Sequence, residues 1–252
     1  VTAYNDVNSL LSELLTSLKD ILGEKLTGLY LEGSLVLGDF EPGISDIDLI
    51  AVLSSEVNNQ EFEELHKMHN AFVIKHKEWN DRIEVCYLTA DAINTTKTKV
   101  SNIVNISPGE PFHKTKTRKE WLINWYLLQE KGKTLYGPPP SAFINPISNE
   151  EFVQSVKDHA ISWKDWVKEM RNPYAQSYAI LAMCRALYAF KNSDQVSKKQ
   201  AAMWVMKKLP QWTKLIQNAL AWRKEGKYRQ ADNITHPETV RFVHYIRGLI
   251  LE

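Results

Sequence analysis

Two aspartates two residues apart, Asp46 and Asp48, stand at the entrance to the apolar run Leu49-Ile50-Ala51-Val52-Leu53. A strand sends every second side chain to the same face, so both carboxylates are expected to point the same way. Like charges held together in partly apolar surroundings repel and lose hydration, and a cation would offset that cost. Mg²⁺ suits the pair, because it takes one or two carboxylates and fills its shell with water and phosphate oxygens. Upstream, Gly33-Ser34 follows another apolar run. A Gly-Ser turn after a strand exposes backbone amides and a hydroxyl, which suits a phosphate group. Downstream, Glu84 sits between Ile83 and Val85, so alternation sets it apart from its apolar neighbours. A carboxylate beside a metal-bound triphosphate has the chemistry to take the proton from an attacking hydroxyl.

Taken singly, each feature has a plainer reading. An Asp-x-Asp at a strand end often only starts a turn, and a lone strand glutamate usually faces solvent. The order and spacing carry more: strand, Gly-Ser, 11 residues, Asp-x-Asp entering an apolar strand, then a further strand acid. That arrangement calls for a metal-nucleotide site.

The elements that must position these groups are legible in the pattern. Apolar residues at Val7, Leu10, Leu11, Leu14, Leu15, Leu18, Ile21 and Leu22 form a helical stripe closed by Gly23. Strands are expected at Leu26–Leu31, Ile47–Leu53 and Arg82–Leu88, with a short helical stretch opening at Gly33-Ser34 and a helix over 59–78. Gly38, Pro42 and Gly43 mark the loop before the aspartates. Helix and strand alternate to about residue 140, which argues for an α/β layer. Pro138-Pro139-Pro140 then changes the texture, and only helical patterns follow, at 149–170, 174–192, 197–208, 211–225 and 237–250. The expected architecture is an α/β domain with a mixed sheet over 1–140, a linker over 141–148 and an all-α bundle over 149–252. Small-molecule sites commonly form where two domains meet.

Bulk composition narrows the classes. The 252 residues are ample for a core, and 24% charged with 44% hydrophobic is ordinary for a globular chain. Lys and Arg number 31 against 30 Asp and Glu, which weakens a nucleic-acid-tracking reading. Cys86 and Cys184 lack metal-ligand spacing and sit in apolar segments, so buried thiols in a reducing compartment are expected. No apolar run approaches the roughly 18–20 residues that span a membrane. Val1 to Asp6 show no basic region ahead of an apolar stretch, so no signal peptide and a cytoplasmic location are expected.

The ordered features resemble the nucleotidyltransferase superfamily of the DNA polymerase beta type: apolar residue, Gly-Ser, a spacer, then acid-apolar-acid-apolar. Here Glu32 takes the place before Gly33, with Leu31 preceding it. In the second half, SKKQAAMWVMKKLP (197–210) and RFVHYIRGLI (241–250) look like the helical domain of the aminoglycoside adenylyltransferases that modify streptomycin and spectinomycin. The resemblance implies an enzyme whose two domains clasp Mg-ATP and drug, transferring AMP to a drug hydroxyl and releasing pyrophosphate. Carried over by position, Gly33 and Ser34 cradle phosphate, Ser45 assists at the second loop, Asp46 and Asp48 hold Mg²⁺, and Glu84 is the general base. Lys198 matches a lysine that reaches the triphosphate, and Tyr245 a tyrosine near the nucleotide. Asn124 falls where that family has an aspartate beside the nucleotide. Against these roles stand plainer ones: a solvated lysine at a polar helix start, and a core aromatic with a polar tip.

A polycationic acceptor needs acids and aromatic faces. Residues 151–169 offer Asp158, Trp163 and Asp165 as acceptor contacts, with Glu151, Trp166 and Glu169 nearby. The plainer reading is a solvated stripe balanced by Lys157, Lys164 and Lys168. The chain departs from the streptomycin-modifying pattern in lacking its tryptophan after the catalytic strand and in the length before Tyr178. Spectinomycin, another hydroxylated cation and a non-antibiotic alcohol therefore stay open, as does drug resistance as the native role. Two further classes also stay open: transfer to an RNA end or a protein, and a non-catalytic, antitoxin-like module. The expected partner is a small cationic acceptor, with no membrane and no nucleic acid; a monomer is the default oligomeric state.

Overall fold

The computed structural model describes residues 2–225 and 235–252. These divide into two compact units, 1–147 and 148–252.

The first unit is a mixed six-stranded sheet carrying helices. In chain order it contains α1 (Asn5–Leu22), β1 (Leu26–Leu31), α2 (Gly33–Val36), β2 (Ile47–Leu53), α3 (Asn59–Lys75), β3 (Ile83–Thr89), α4 (Ala90–Asn94), β4 (Asn102–Ser107), β5 (Glu110–Lys116), α5 (Leu122–Lys131) and β6 (Lys133–Tyr136). Strand order is β5-β4-β3-β2-β1-β6. Only β2 and β3 run parallel, and α3 is the crossover that such a pair requires. The helix begins at a capping box in which Asn58 and Glu61 satisfy each other's backbone N–H groups. The stripe of α1 packs against α3, and both cover one face of the sheet. Leu49, Ala51 and Leu53 of β2 join Ile83, Val85 and Tyr87 of β3 in that core. By alternation, Asp48 and Glu84 lie on the opposite face.

The second unit is helical: α6 (Asn149–Trp166), α7 (Pro173–Asn192), α8 (Lys198–Lys208), α9 (Thr213–Glu225) and α10 (His236–Leu251). Helix α7 is central, packing against α8, α9 and α10. Ser148 with Glu151 and Ser197 with Gln200 form capping boxes at α6 and α8, and Asn172 caps α7 ahead of Pro173 at its first position. Buried Gln176 accepts hydrogen bonds from the Thr235 and Thr239 hydroxyls, at 2.9 Å each, and donates to the Arg171 carbonyl at 2.7 Å. A buried amide satisfied on both ends ties the start of α10 to α7. No described helix is long and apolar enough to cross a membrane.

The expected combination of a mixed sheet with helices and a helical C-terminal region is what forms. Three strands escaped the pattern, β4 inside the sheet and β5 and β6 at its two edges. Strand β5 reads Glu-Pro-Phe-His-Lys-Thr-Lys, with Phe112 alone buried, and β6 has four exposed or half-buried residues. Edge strands need little apolar alternation, so periodicity does not reveal them. Residues 140–147 are anchored to the first unit: Asn94 bonds Phe143 and Asn145, and Gln129 bonds Ile147 on both sides.

Candidate active site

The turn leaving β1 is shaped around Asp48. Glu32 donates its backbone N–H to the Asp48 carbonyl at 3.0 Å, which carries β1–β2 pairing one residue past the strand. Gly33 follows at φ +66°, and a Cβ there would run into the Asp48 carboxylate. Glycine is therefore required on two counts, backbone conformation and close approach. The next residue, Ser34, has a buried hydroxyl oxygen with no hydrogen-bond partner among the described residues. A buried, unsatisfied hydroxyl is costly unless a ligand completes it.

The second loop is closed by Ser45. Its hydroxyl accepts from the Glu41 N–H at 3.0 Å, its N–H donates to the Glu41 carbonyl at 2.9 Å, and it is buried. Its side chain is thus used within the loop. Arg82, directly before β3, donates through Nε and Nη2 to the Ser45 carbonyl at 3.1 and 2.5 Å.

Asp48 and Glu84 are direct partners in the parallel register of β2 and β3. With Asp46 they bring three carboxylate oxygens within 4.8 Å of one another, all half-buried. Three hard anionic donors this close match a divalent cation that prefers oxygen ligands, so the residues present fit Mg²⁺. A further acid approaches the same face. Burial, then the charges of Glu84 and Glu32, push the Cys86 thiol well above its ordinary value. Glu32 is therefore within Coulombic reach of Cys86, two residues beyond Glu84 on the same strand, although the sequence pattern presented it only as a departure from the motif.

The remaining candidates lie in the second unit. Lys198 is the first residue of α8, its ammonium 4.8 Å from the Tyr178 ring centroid. Tyr245 on α10 is 41% exposed and meets Trp212 at 5.8 Å between centroids. Asp158 is exposed and accepts from Gln154 at 2.9 Å; Asp165 is exposed and pairs with Lys168 at 2.6 Å. The Lys168 hydrogen bond lowers the Asp165 carboxyl below its usual range. Trp163 differs from both. It is 1% exposed, and its indole N–H donates to His159 at 3.0 Å. Its ring belongs to the helical core, and the outward-facing aromatics beside it are Trp166 and Tyr178. Helical spacing alone could not separate Trp163 from Trp166, because the two straddle the edge of the buried stripe.

Residues 11–123 match the nucleotidyltransferase domain family, and residues 142–248 match the aminoglycoside adenylyltransferase C-terminal domain. The chain belongs to the aminoglycoside nucleotidyltransferases. As a nucleotidyltransferase it is an enzyme, with the three-carboxylate cluster inside the segment that matches the transferase domain. Its fold is shared with a spectinomycin adenyltransferase, AAD(9) from Enterococcus faecialis, solved with ATP and spectinomycin: TM-score 0.75 over 97% of this chain and 99% of that one, at 15% sequence identity. Among curated proteins no sequence matches this nucleotidyltransferase.

Proposed function

We propose that this nucleotidyltransferase transfers AMP from Mg-ATP to a hydroxyl of a cationic, aminoglycoside-like small molecule, releasing pyrophosphate. The observation that carries the reading is the convergence of Asp46, Asp48 and Glu84 within 4.8 Å beside the Gly33-Ser34 turn. Asp46 and Asp48 hold Mg²⁺, which when bound neutralises phosphate charge. Ser34, with its unsatisfied hydroxyl, donates to a phosphate oxygen, and the Gly33 backbone allows the close approach. Glu84 takes the proton of the acceptor hydroxyl. The hydroxyl oxygen then bonds to the α-phosphorus as the bond to the bridging oxygen breaks, and pyrophosphate leaves with the electron pair. Lys198 and Tyr245 are the further nucleotide contacts in this reading. Ser45, whose hydroxyl is engaged by Glu41, serves by shaping the loop that presents Asp46.

The acceptor class is supported by the match of 142–248 to the aminoglycoside adenylyltransferase C-terminal domain and by the fold shared with a spectinomycin-bound enzyme. Asp158 and Asp165 are the exposed acids offered to it. The test is pyrophosphate release with Mg-ATP against spectinomycin, streptomycin, kanamycin, lincomycin and no acceptor. Release with one drug, together with a product heavier by one AMP, is expected. Bound Mg-ATP with no release across the panel would overturn the acceptor assignment and leave the nucleotide site standing.

A further inference from the structure

Asp46 precedes β2, so the strand ladder does not hold it as it holds Asp48. What fixes it is Arg82, which grips the chain on both sides of the aspartate. Ahead of Asp46, the Ser45 carbonyl accepts two N–H bonds from the Arg82 guanidinium, from Nε and Nη2. Behind it, the Ile47 N–H donates to the Arg82 carbonyl at 2.8 Å. The third guanidinium nitrogen, Nη1, donates to the Glu78 carbonyl at 3.0 Å. The plane itself lies over Trp79, 4.5 Å from the ring centroid. Trp79 stacks on Phe40 of the metal loop at 6.4 Å, and Phe40 meets Tyr4, whose hydroxyl donates to the Phe40 carbonyl at 3.2 Å. The loop between Gly38 and Asp46 is thus clamped by an aromatic column that ends on one guanidinium.

We infer that Arg82 is the positioning residue that holds Asp46 in register with Asp48 and Glu84 for the divalent ion. A planar fork with several fixed donors does this better than a point charge, because two bonds to one carbonyl set direction as well as distance. Arg82 also lies within Coulombic reach of Asp46: burial lowers the guanidinium's affinity for its proton, and the charges of Asp46 and Glu78 oppose that. The nearby cation therefore offsets part of the negative charge gathered at Asp46. The inference rests on the metal-site reading above.

The test measures Mn²⁺ binding by electron paramagnetic resonance of the free ion, in wild type, Arg82→Ala and Arg82→Lys, alongside thermal melting and ATP binding in chelator. Wild type binds Mn²⁺. Arg82→Ala is expected to bind it about 10-fold or more weakly, the usual cost of removing an outer support of a metal ligand. Arg82→Lys, keeping the charge but not the fork, falls between, and metal-independent ATP binding is unchanged in both. A purely structural arginine would lower melting and leave Mn²⁺ affinity at the wild-type value, and that result overturns the inference. Should Arg82→Ala fail to fold, Arg82→Lys alone decides. Absence of Mn²⁺ binding by wild type, with and without ATP, would instead remove the metal-site reading itself.

Discussion

Asp48 and Glu84 face each other as direct partners across the only parallel strand pair in the sheet. Parallel pairing brings their side chains out on one face at strand spacing, with Asp46 close enough to complete a three-oxygen cluster. This makes the roles separable. Glu84→Ala should still bind Mg-ATP and lose turnover by about 100- to 10,000-fold, the range for a positioned general base. Asp46→Asn should weaken metal-dependent nucleotide binding itself. Calorimetric titration with Mg-ATP beside a pyrophosphate assay distinguishes them, and full turnover in Glu84→Ala would end the base assignment.

Gly33 is irreplaceable for a geometric reason. Gly33→Ala places a methyl group in the left-handed region and against the Asp48 carboxylate. The conformation alone costs about 1–2 kcal/mol, and relief of the clash must displace Asp48. Urea unfolding should show the stability loss, and Mn²⁺ titration a weaker ion. Wild-type affinity in Gly33→Ala would show that Asp48 does not need its place.

Trp163 and Trp166 should separate on mutation. Trp163→Ala removes a core indole and should cost about 3–5 kcal/mol. Trp163→Phe keeps most of the packing and should leave acceptor KM unchanged. Trp166 is 37% exposed, so Trp166→Ala should change stability far less. A raised acceptor KM in Trp163→Phe at unchanged stability would return Trp163 to the acceptor contacts.

Stability should depend on pH through His69. This imidazole is buried under α3, where its Nε2 and the Tyr87 hydroxyl are 2.6 Å apart. Burial, then the charge of His66, lowers it from 6.5 to about 4. Between those values the unfolded chain binds a proton that the folded chain refuses. Stability is therefore fully present above about pH 6.5 and falls as pH drops toward 4, by about 3 kcal/mol over the window. Chemical denaturation from pH 7 to 4 measures the slope, and His69→Gln should flatten it. An equal slope in the variant would assign the effect to other groups.

The chemistry-bearing residues were readable because their signals are local. Strand alternation gave Asp46, Asp48 and Glu84 a common logic, Gly33-Ser34 marked a turn after β1, and the apolar stripe from Val7 to Leu22 closed by Gly23 announced the first helix. Polar edge strands β5 and β6 carry no such periodicity and went unread. Arg82 was visible only as the first residue of an expected strand; its grip on Ser45 spans 37 positions, which no spacing rule reaches. Trp163 and Trp166, one turn apart, looked alike until packing buried the first.

Residue type and short-range spacing thus settled which groups are available: three acids, a glycine turn with a hydroxyl, and a helical second half. Which of those groups meet was decided by the tertiary structure. Side-chain alternation and capping act over a few residues and are written in the chain. The pairing of Asp48 with Glu84, the burial of Trp163 and the clasp of Arg82 on the Asp46 loop depend on strand register and helix packing. Those arise from contacts between distant segments, whose free energy belongs to the assembled core.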